Sequence, residues 1–499
     1  MAETGVSTAA GGTGLRSNAI GLREVLFQSI TDMAPGAAIA ASIPFGATFA
    51  GGSLPLAVIL ALVASLFTAW AIGQLAKEIP AAGSLATYAA RGIHPTVGFL
   101  VAWAYVMVGW LVAPLVLLQL GFTTAATLNT EFSLPANLWW PWSILGMLIV
   151  FAVGYFGIRA STRLGTILGV FEIAIFLIMG VLLVIHAGGH NTLSVFTTKF
   201  TAPGHHGLSG IIAGSVFTVL AFLGFESAAP LAEEARNPRR TVQLAVVLST
   251  LFIGALYVFT TYAMDVEFGP GRFLTFTTGT GAASWVGVAR ALYGLFWVFV
   301  FFAIINSTLA NSNAGVNVAS RTAFAMGRIR AFPPRLSEVS ERHRSPVLAI
   351  AAGSAIGLAV MLGLGFGYDP VTAFGMIATA LVILLVGIYL VMCVSCLGYF
   401  LRRRSGLNVI SHIVVPVLAI VAFIPAWLAG AGVKTPGLSF ITPLPAPLSY
   451  MGPAAAIWMV IGLFYLVYLY LRHRQRITDV ALVHLDAAPP DVADPRVAS

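Results

Sequence analysis

Three acidic residues lie inside long apolar stretches of this sequence, where ionisable side chains are rare: Asp32, Glu172 and Glu226. A charged side chain at the centre of a bilayer costs at least about 2.5 kcal/mol on insertion scales, so such residues usually face a cavity and act on ions or substrates. Each acid is therefore a candidate proton carrier or partner for a cationic substrate. Three structural roles remain open as alternatives: a helix cap for Glu226, an intrahelical hydrogen bond for Glu172, and an interfacial position for Asp32.

Glu226 lies in the most informative segment, which runs from Phe222 to Arg240 with the sequence FLGFESAAPLAEEARNPRR. The segment begins in the apolar stretch 211–231, and Gly224 interrupts this stretch beside the acid. Irregular backbone at membrane depth is tolerated only where it is buried in protein or lines a cavity. The pattern predicts a discontinuous helix with a binding site at its break.

An earlier apolar stretch, LFQSITDMAPGAAIAAS, also carries a signal for a broken helix. Pro35 lacks an N–H group and disfavours helical backbone at the preceding residue, and Gly36 tolerates irregular backbone. A simple proline kink is the alternative. If the helix is broken, backbone N–H groups at the positive end of its second half would face a substrate carboxylate, from Ala34, Gly36, Ala37 and Ala38.

Composition defines the class of protein. Of the 499 residues, 58% are hydrophobic and 9% are charged, whereas soluble domains average about 25% charged residues. The formal net charge of +8 comes from basic residues in short loops between apolar segments, which indicates membrane orientation and not nucleic-acid binding. We predict an all-α polytopic membrane protein with twelve transmembrane helices, near 25–50, 53–76, 96–122, 138–158, 164–187, 209–232, 242–265, 284–312 (continuing as helix to about 326), 346–367, 370–400, 408–431 and 450–471.

The distribution of basic residues predicts the topology. Most of them flank one face of the membrane, and only Lys199, Arg272 and Lys434 flank the other. This asymmetry predicts a plasma-membrane protein with both termini in the cytoplasm. Breaks in spans one and six are five spans apart, which fits two inverted five-helix repeats followed by two further helices. The predicted parts are a disordered terminus at 1–22, a transporter domain at 23–475 (repeats 23–190 and 205–402, last two helices 407–472) and a disordered tail at 476–499.

The segment from Phe222 to Arg240 resembles the sixth transmembrane segment of the amino acid–polyamine–organocation (APC) superfamily permeases, whose pattern is Phe-x-Gly-Phe-Glu followed by Ala-Glu-Glu-x-x-Asn-Pro-x-Arg. Shorter matches follow in the family's order over roughly residues 20–475. They are Pro80 to Ser84 with Tyr88, Gly157 to Ser161, Ala319 to Arg321 with Ala325 to Arg328, and Ser345 to Val347. The resemblance implies a secondary transporter that works by alternating access around broken helices one and six.

The resemblance also predicts the remaining site residues. Carbonyl groups of span six would face a substrate ammonium, and neighbouring side chains would shape the pocket. The residues concerned are Leu220, Phe222, Leu223, Gly224 and Phe225. Span eight has a polar face that carries Asn306, and Ser307 and Thr308 beside it are candidate sodium ligands, as in relatives of this general fold.

The sequence departs from the family at two positions. The run Ala34-Pro35-Gly36-Ala37 stands where many members have Gly-x-Gly, and the proline removes one backbone donor from the place where the family binds an α-carboxylate. This departure counts against a standard α-amino acid substrate. Glu172 falls where some proton-coupled members carry a membrane-buried lysine, so proton coupling is favoured over sodium.

The sequence contains no P-loop, no His-Glu-x-x-His and no Gly-x-Ser-x-Gly, so no enzyme activity, cofactor or metal is expected. We expect a secondary transporter that imports an amino acid or a related amine or polyamine with protons. Its partners would be that small molecule, the coupling ion and the lipid bilayer, with no nucleic acid. A sodium-coupled or exchange-type permease, or a substrate sensor or channel on the same scaffold, is the alternative.

Overall fold

Apolar runs of 18 residues or more fold as long helices, because a helix satisfies every backbone polar group within its own segment. A computed structural model describes residues 21–79, 84–156, 162–231, 235–276, 281–340, 345–403 and 406–482. These residues form helices and no β-strand. Three predicted motif segments, 80–83, 157–161 and 232–234, lie outside the described residues, as do most of the two predicted disordered termini.

The bounds of the helices follow the predicted spans closely. In chain order the helices are Leu22–Met33 and Pro35–Ala37 to Ala47–Ala50 (span one), Leu54–Glu78 (two), the short Ser84–Gly92, Pro95–Phe132 (three), Trp139–Phe156 (four), Thr162–Ala187 (five), Leu208–Leu220 with Phe225–Leu231 (six), Pro238–Phe268 (seven), the short Trp285–Tyr293, Phe296–Arg328 (eight), Val347–Gly367 (nine), Pro370–Arg403 (ten), Ile410–Val414 with Val415–Gly430 (eleven) and Met451–Arg472 (twelve).

Eleven helical stretches of the described residues are long and apolar enough to cross a membrane. The first, Leu22–Glu78, has 57 residues, which is more than twice the roughly 20 residues that one crossing needs. A tight turn at Gly51–Ser53 divides it, and Gly51 has a φ of 54° that favours glycine. Spans one and two are therefore separate, and the predicted total of twelve is confirmed.

Two details differ from the prediction. The stretch predicted as one helix from 284 to about 326 is two helices, because Gly294 with a φ of 54° ends Trp285–Tyr293 before Phe296–Arg328 begins. Helical structure also continues past the predicted boundary at 475, as Arg474–Thr478 and Asp479–Leu482, because Ile477 and Val480 are buried against the helix bundle.

The packing of the spans is consistent with two structurally related five-helix repeats. Span seven packs along span two, and span eight packs along span three, so each closely packed pair joins helices that are five positions apart in the chain. Span one contacts spans seven and eight as well as the 3-10 segment of span six. This arrangement places the interrupted parts of spans one and six next to each other in the bundle interior.

Candidate substrate and coupling site

The break in span one lies at Ala34, the residue at which Pro35 was expected to disfavour helical backbone. The helix Leu22–Met33 ends there because Ala34 adopts left-handed backbone with a φ of 47°, which is uncommon for a residue other than glycine. Pro35 then occupies the first position of the next helical turn, where its missing N–H group costs nothing. The prediction of a broken first span is confirmed.

The backbone donors at this break are less available than the sequence predicted. The N–H of Ala34 donates to the carbonyl of Thr31 at 3.1 Å, and the N–H of Ala38 donates to the carbonyl of Ala34 at 2.9 Å. Two of the four predicted donors are therefore used within the chain. Gly36 packs closely against span eight, where a methyl group added to it would lie 3.2 Å from Ser307 Cβ, a contact that the sequence does not reveal.

The break in span six begins after Leu220 and ends at Gly224, whose φ is 115°. The backbone there forms successive tight turns, in which Leu223 N–H donates to the carbonyl of Leu220 at 3.1 Å. A 3-10 segment, Phe225–Leu231, continues the chain. The predicted discontinuity at Gly224 is confirmed.

The two breaks are in direct contact. A methyl group added at Gly224 would lie 2.7 Å from the carbonyl carbon of Asp32 in span one, so the backbones approach as closely as glycine permits. Tyr257 of span seven donates its hydroxyl to the carbonyls of Met33 and Ala221, each at 3.0 Å. One buried side chain therefore holds both interrupted helices.

Glu226 caps the break in span six and connects it to two other spans. Its Oε2 accepts the backbone N–H of Gly224 at 3.0 Å and the hydroxyl of Tyr389 in span ten at 2.6 Å. Its Oε1 accepts the hydroxyl of Tyr105 in span three at 3.4 Å. The capping role and the functional role proposed for this residue are compatible, because the same carboxyl group faces a cavity.

Asp32 ends the first half of span one and stands between the other two acids. Its Oδ1 accepts a long hydrogen bond of 3.5 Å from the amide of Gln28. The amide of Asn311 in span eight donates to the backbone carbonyl of Asp32. The residue is 7% exposed, so Asp32 is a buried acid.

Glu172 lies on span five and faces span eight. Its Oε2 accepts the amide of Asn306 at 3.2 Å, and Ser307 faces the same carboxyl group. Ser307 Oγ is buried without a hydrogen-bond partner at bonding distance in the described part of the chain. The other candidate sodium ligand, Thr308, donates within its own helix to the carbonyl of Ile305 at 2.9 Å.

Two adjoining cavities connect these groups. The larger, of about 490 Å³, is lined by Asp32, Glu172, Asn306 and Tyr105 and extends along span eight to Arg321. Its volume lies in the range of about 300–1,000 Å³ that is common for small-molecule sites. The smaller, of about 90 Å³, has Asp32 and Tyr105 in common with the larger one and is also lined by Ala34, Ala37, Ala38, Leu220, Leu223, Gly224 and Glu226.

Three predicted substrate-binding residues do not line either cavity, namely Gly36, Phe222 and Phe225. Phe222 is fully buried against Tyr257, with ring centroids 5.3 Å apart, and Phe225 is fully buried against Tyr389, with centroids 4.9 Å apart. Phe225 therefore packs in the protein core and does not shape the pocket. Phe225 was predicted to line the pocket because it is adjacent to Glu226. In a 3-10 helix, however, the side chains of adjacent residues point in different directions.

A helical bundle with two interrupted spans around cavities that buried acids line is typical of a multi-pass membrane transporter. The chain belongs to the amino acid permease family, whose model matches residues 24–478. The protein is accordingly a transporter and not an enzyme. Among the described residues there is also no group of three or more histidine, cysteine or acidic side chains that could hold a metal ion.

The similar proteins are permeases with different substrates. A low-affinity putrescine importer, PlaP of Escherichia coli K12, is 28% identical over 331 residues, which cover 65% of this chain and 70% of that protein. The branched-chain amino acid permease BcaP of Lactococcus lactis is 25% identical over 386 residues, or 72% of this chain and 77% of that protein. The lysine-specific permease LysP of the same species is 24% identical over 335 residues, or 64% and 62%.

Proposed function

We propose that this protein imports an amino acid or a related amine across the cell membrane together with protons, by alternating access around the breaks in spans one and six. The observation that carries the proposal is the meeting of both breaks at adjoining cavities that three buried acids line, Asp32, Glu172 and Glu226. Buried acids inside a membrane protein typically mark proton relays or substrate sites.

Glu226 is the best-supported coupling residue in this proposal. Its carboxyl group joins the break in span six to Tyr105 in span three and Tyr389 in span ten. A proton or a substrate ammonium that binds this carboxyl group competes with the tyrosine hydroxyls for its oxygen atoms. Such an event changes the contacts between the broken helix and its neighbours, which is what coupling requires.

Substrate binding follows from the same geometry. The carboxyl group of Asp32 lines both cavities and is available to an ammonium group, as are the carbonyl groups in the span-six break. The putrescine, lysine and branched-chain permeases among the relatives are consistent with an amine or amino acid substrate. Both termini lie in the cytoplasm in this proposal, because most basic residues flank that face.

Sodium coupling is the second candidate, and Ser307 is the observation that favours it. Its hydroxyl is buried, faces Glu172 and lacks a hydrogen-bond partner at bonding distance within the described residues. A sodium ion is bound by oxygen ligands of this kind, and the carbonyl of Ala303 lies next to the same break. Exchange of substrates without a coupling ion, a channel and a substrate sensor are further functions that the same scaffold could serve.

Uptake into proteoliposomes tests the proposal. Purified protein would be reconstituted and supplied with labelled putrescine, lysine and leucine under an inward proton gradient, an inward sodium gradient or no gradient. Protein-free liposomes are the control. The proposal predicts uptake that the proton gradient stimulates and the sodium gradient does not, whereas stimulation by sodium alone would favour sodium binding at Ser307.

A further inference from the structure

A second large cavity lies outside the transport site, among spans three, ten, eleven and twelve. Its volume is about 620 Å³, and it shares no lining residue with the two cavities at the breaks. Every described side chain that lines it is apolar. The indole of Trp427, which carries the one polar hydrogen among these side chains, donates it to the carbonyl of Ile383 at 2.9 Å. The cavity therefore suits an apolar ligand and not an ion or a polar solute.

Hydrogen bonds from tryptophan residues fix the walls of this cavity. Trp103 of span three and Trp458 of span twelve each donate their indole N–H to the backbone carbonyl of the other, at 3.0 and 3.2 Å. These bonds hold span twelve on span three, as Trp427 holds span eleven on span ten. Spans eleven and twelve meet at Gly452, where an added methyl group would contact the carbonyl oxygen of Ala431. The cavity between these fixed contacts is thus a defined feature of the fold.

The cavity opens to the outside of the helix bundle between spans eleven and twelve. Among the residues that line it, Val433, Pro453 and Ala456 are exposed. Elsewhere these two spans also expose apolar side chains, such as Val421 and Ile457. In a membrane, such a surface contacts the acyl chains of lipids, which are as apolar as the side chains themselves.

The dimensions of the cavity fit a hydrocarbon chain better than a helix. Its lining on span ten runs from Ile383 to Val391, a length of about 12 Å at 1.5 Å per residue. A volume of about 620 Å³ then gives a mean cross-section of at most about 50 Å², whereas a helix about 10 Å across needs about 80 Å². A helix from a second copy of this chain is therefore too wide to enter.

A basic residue stands at one end of the cavity. Lys434 follows Val433, which lines the cavity, and lies exposed in the loop after span eleven. None of the ion pairs between described residues involves Lys434. Basic side chains near a membrane surface attract anionic lipid headgroups. An apolar cavity with a cation at its end matches an acyl chain that is joined to an anionic headgroup.

We propose that the cavity among spans three, ten, eleven and twelve binds an acyl chain of one anionic phospholipid, whose headgroup contacts Lys434. The bound chain packs against two helices of the transport site, because Ala104 and Ile388 line the cavity and directly precede Tyr105 and Tyr389. The inference concerns a second site and does not depend on the transport function proposed above.

Native mass spectrometry of the full-length protein in mild detergent tests the inference. Delipidated protein would be titrated with palmitoyl-oleoyl phosphatidylglycerol and, separately, with phosphatidylcholine that has the same acyl chains. We expect one saturable site per chain that binds phosphatidylglycerol at least about fivefold more tightly, and Lys434→Gln should remove this preference. The absence of a saturable site, or a preference that Lys434→Gln leaves unchanged, would overturn the proposal.

Two variants fill the cavity from different walls. A methyl group added at Gly387 would have only the indole nitrogen of Trp427 within 4 Å, at 3.6 Å, so Gly387→Leu extends into the cavity from span ten. Ala456→Leu does so from span twelve. Each should weaken phospholipid binding by at least about tenfold, because every methylene group kept out of the site lowers the affinity. Gly363→Leu is the matched control, since nothing lies within 4 Å of a methyl group added there.

Unchanged affinity in folded Gly387→Leu and Ala456→Leu would contradict the inference, and so would an equal loss in Gly363→Leu. Ala456 is exposed, so Ala456→Leu keeps the test available if Gly387→Leu fails to fold. The same spectra report how many chains associate. If filling the cavity separates a dimer into single chains and leaves lipid binding unchanged, the cavity belongs to an interface between copies and the proposal fails.

Discussion

The hydroxyl of Tyr389 donates a 2.6 Å hydrogen bond to Oε2 of Glu226, although 163 residues separate them in the chain. This contact joins span ten to the interruption in span six. Tyr105 makes a second, longer contact with the other oxygen atom of the same carboxyl group, from span three. Glu226 therefore connects three helices, and its hydrogen bonds are a direct target for mutation.

Tyr389→Phe should lower uptake by about tenfold, because removal of the hydroxyl leaves the buried Glu226 carboxyl group short of a donor at a cost of about 1–3 kcal/mol. Initial rates in proteoliposomes measure the effect. Tyr450→Phe is the matched control, since this tyrosine is 53% exposed. Uptake at the wild-type rate in Tyr389→Phe would show that the contact has no functional role.

Glu226→Gln should abolish proton-driven uptake, because glutamine retains the size of the side chain but cannot gain or lose a proton at neutral pH. The readout is the difference in uptake with and without an inward proton gradient. Glu131→Gln serves as the control, since Glu131 forms a partly exposed ion pair with Arg290 at 3.0 Å, and such pairs contribute little. Wild-type transport by Glu226→Gln at every pH would remove Glu226 from the mechanism.

Glu172→Gln should flatten the dependence of uptake on external pH. If Glu172 carries a proton during transport, uptake by the wild-type protein increases as the outside becomes more acidic, and the variant loses this increase. Initial rates between pH 5 and 8 measure the profile, with Asp265→Asn as the control, because this buried acid of span seven does not line the two cavities. A profile that matches the wild type would remove Glu172 from proton coupling.

Gly224→Ala should reduce uptake by at least about tenfold and destabilise the protein by about 1–3 kcal/mol, since the added methyl group would meet the backbone of Asp32 and the φ of 115° is strained for alanine. Thermal unfolding of the detergent-solubilised protein reports the stability. Gly363→Ala provides the control, because nothing lies within 4 Å of the added methyl group in span nine. Normal uptake and stability in Gly224→Ala would show that transport does not require the close contact between the breaks in spans one and six.

Much of this site was predictable from the sequence because proline, glycine and acids in apolar stretches carry strong physical costs. Pro35 and Gly224 predicted the breaks in spans one and six, and the position of Asp32 within an apolar stretch predicted a buried acid. The partners of these groups were not predictable. Tyr105 is the one tyrosine of span three and Tyr389 is one of two in span ten, and no local spacing relates them to Glu226.

The orientation of side chains at a break was also beyond sequence analysis. Phe225 is adjacent to Glu226, yet it packs against Tyr389 while Glu226 borders the cavity. The hydrogen bond from Asn306 to Glu172 depends on how spans five and eight pack against each other. Such contacts follow from tertiary structure, which a pattern of apolar and polar residues does not specify.

In the proposed mechanism, the site lined by Asp32, Glu172 and Glu226 couples substrate movement to protons. The most direct measurement is the ratio of internal to external labelled putrescine at steady state, in sodium-free proteoliposomes, as the imposed pH gradient is increased. We predict a ratio that rises above one with the size of the gradient and returns to one when a protonophore is added. A ratio that stays at one for every gradient, while putrescine still equilibrates across the membrane, would contradict coupled transport.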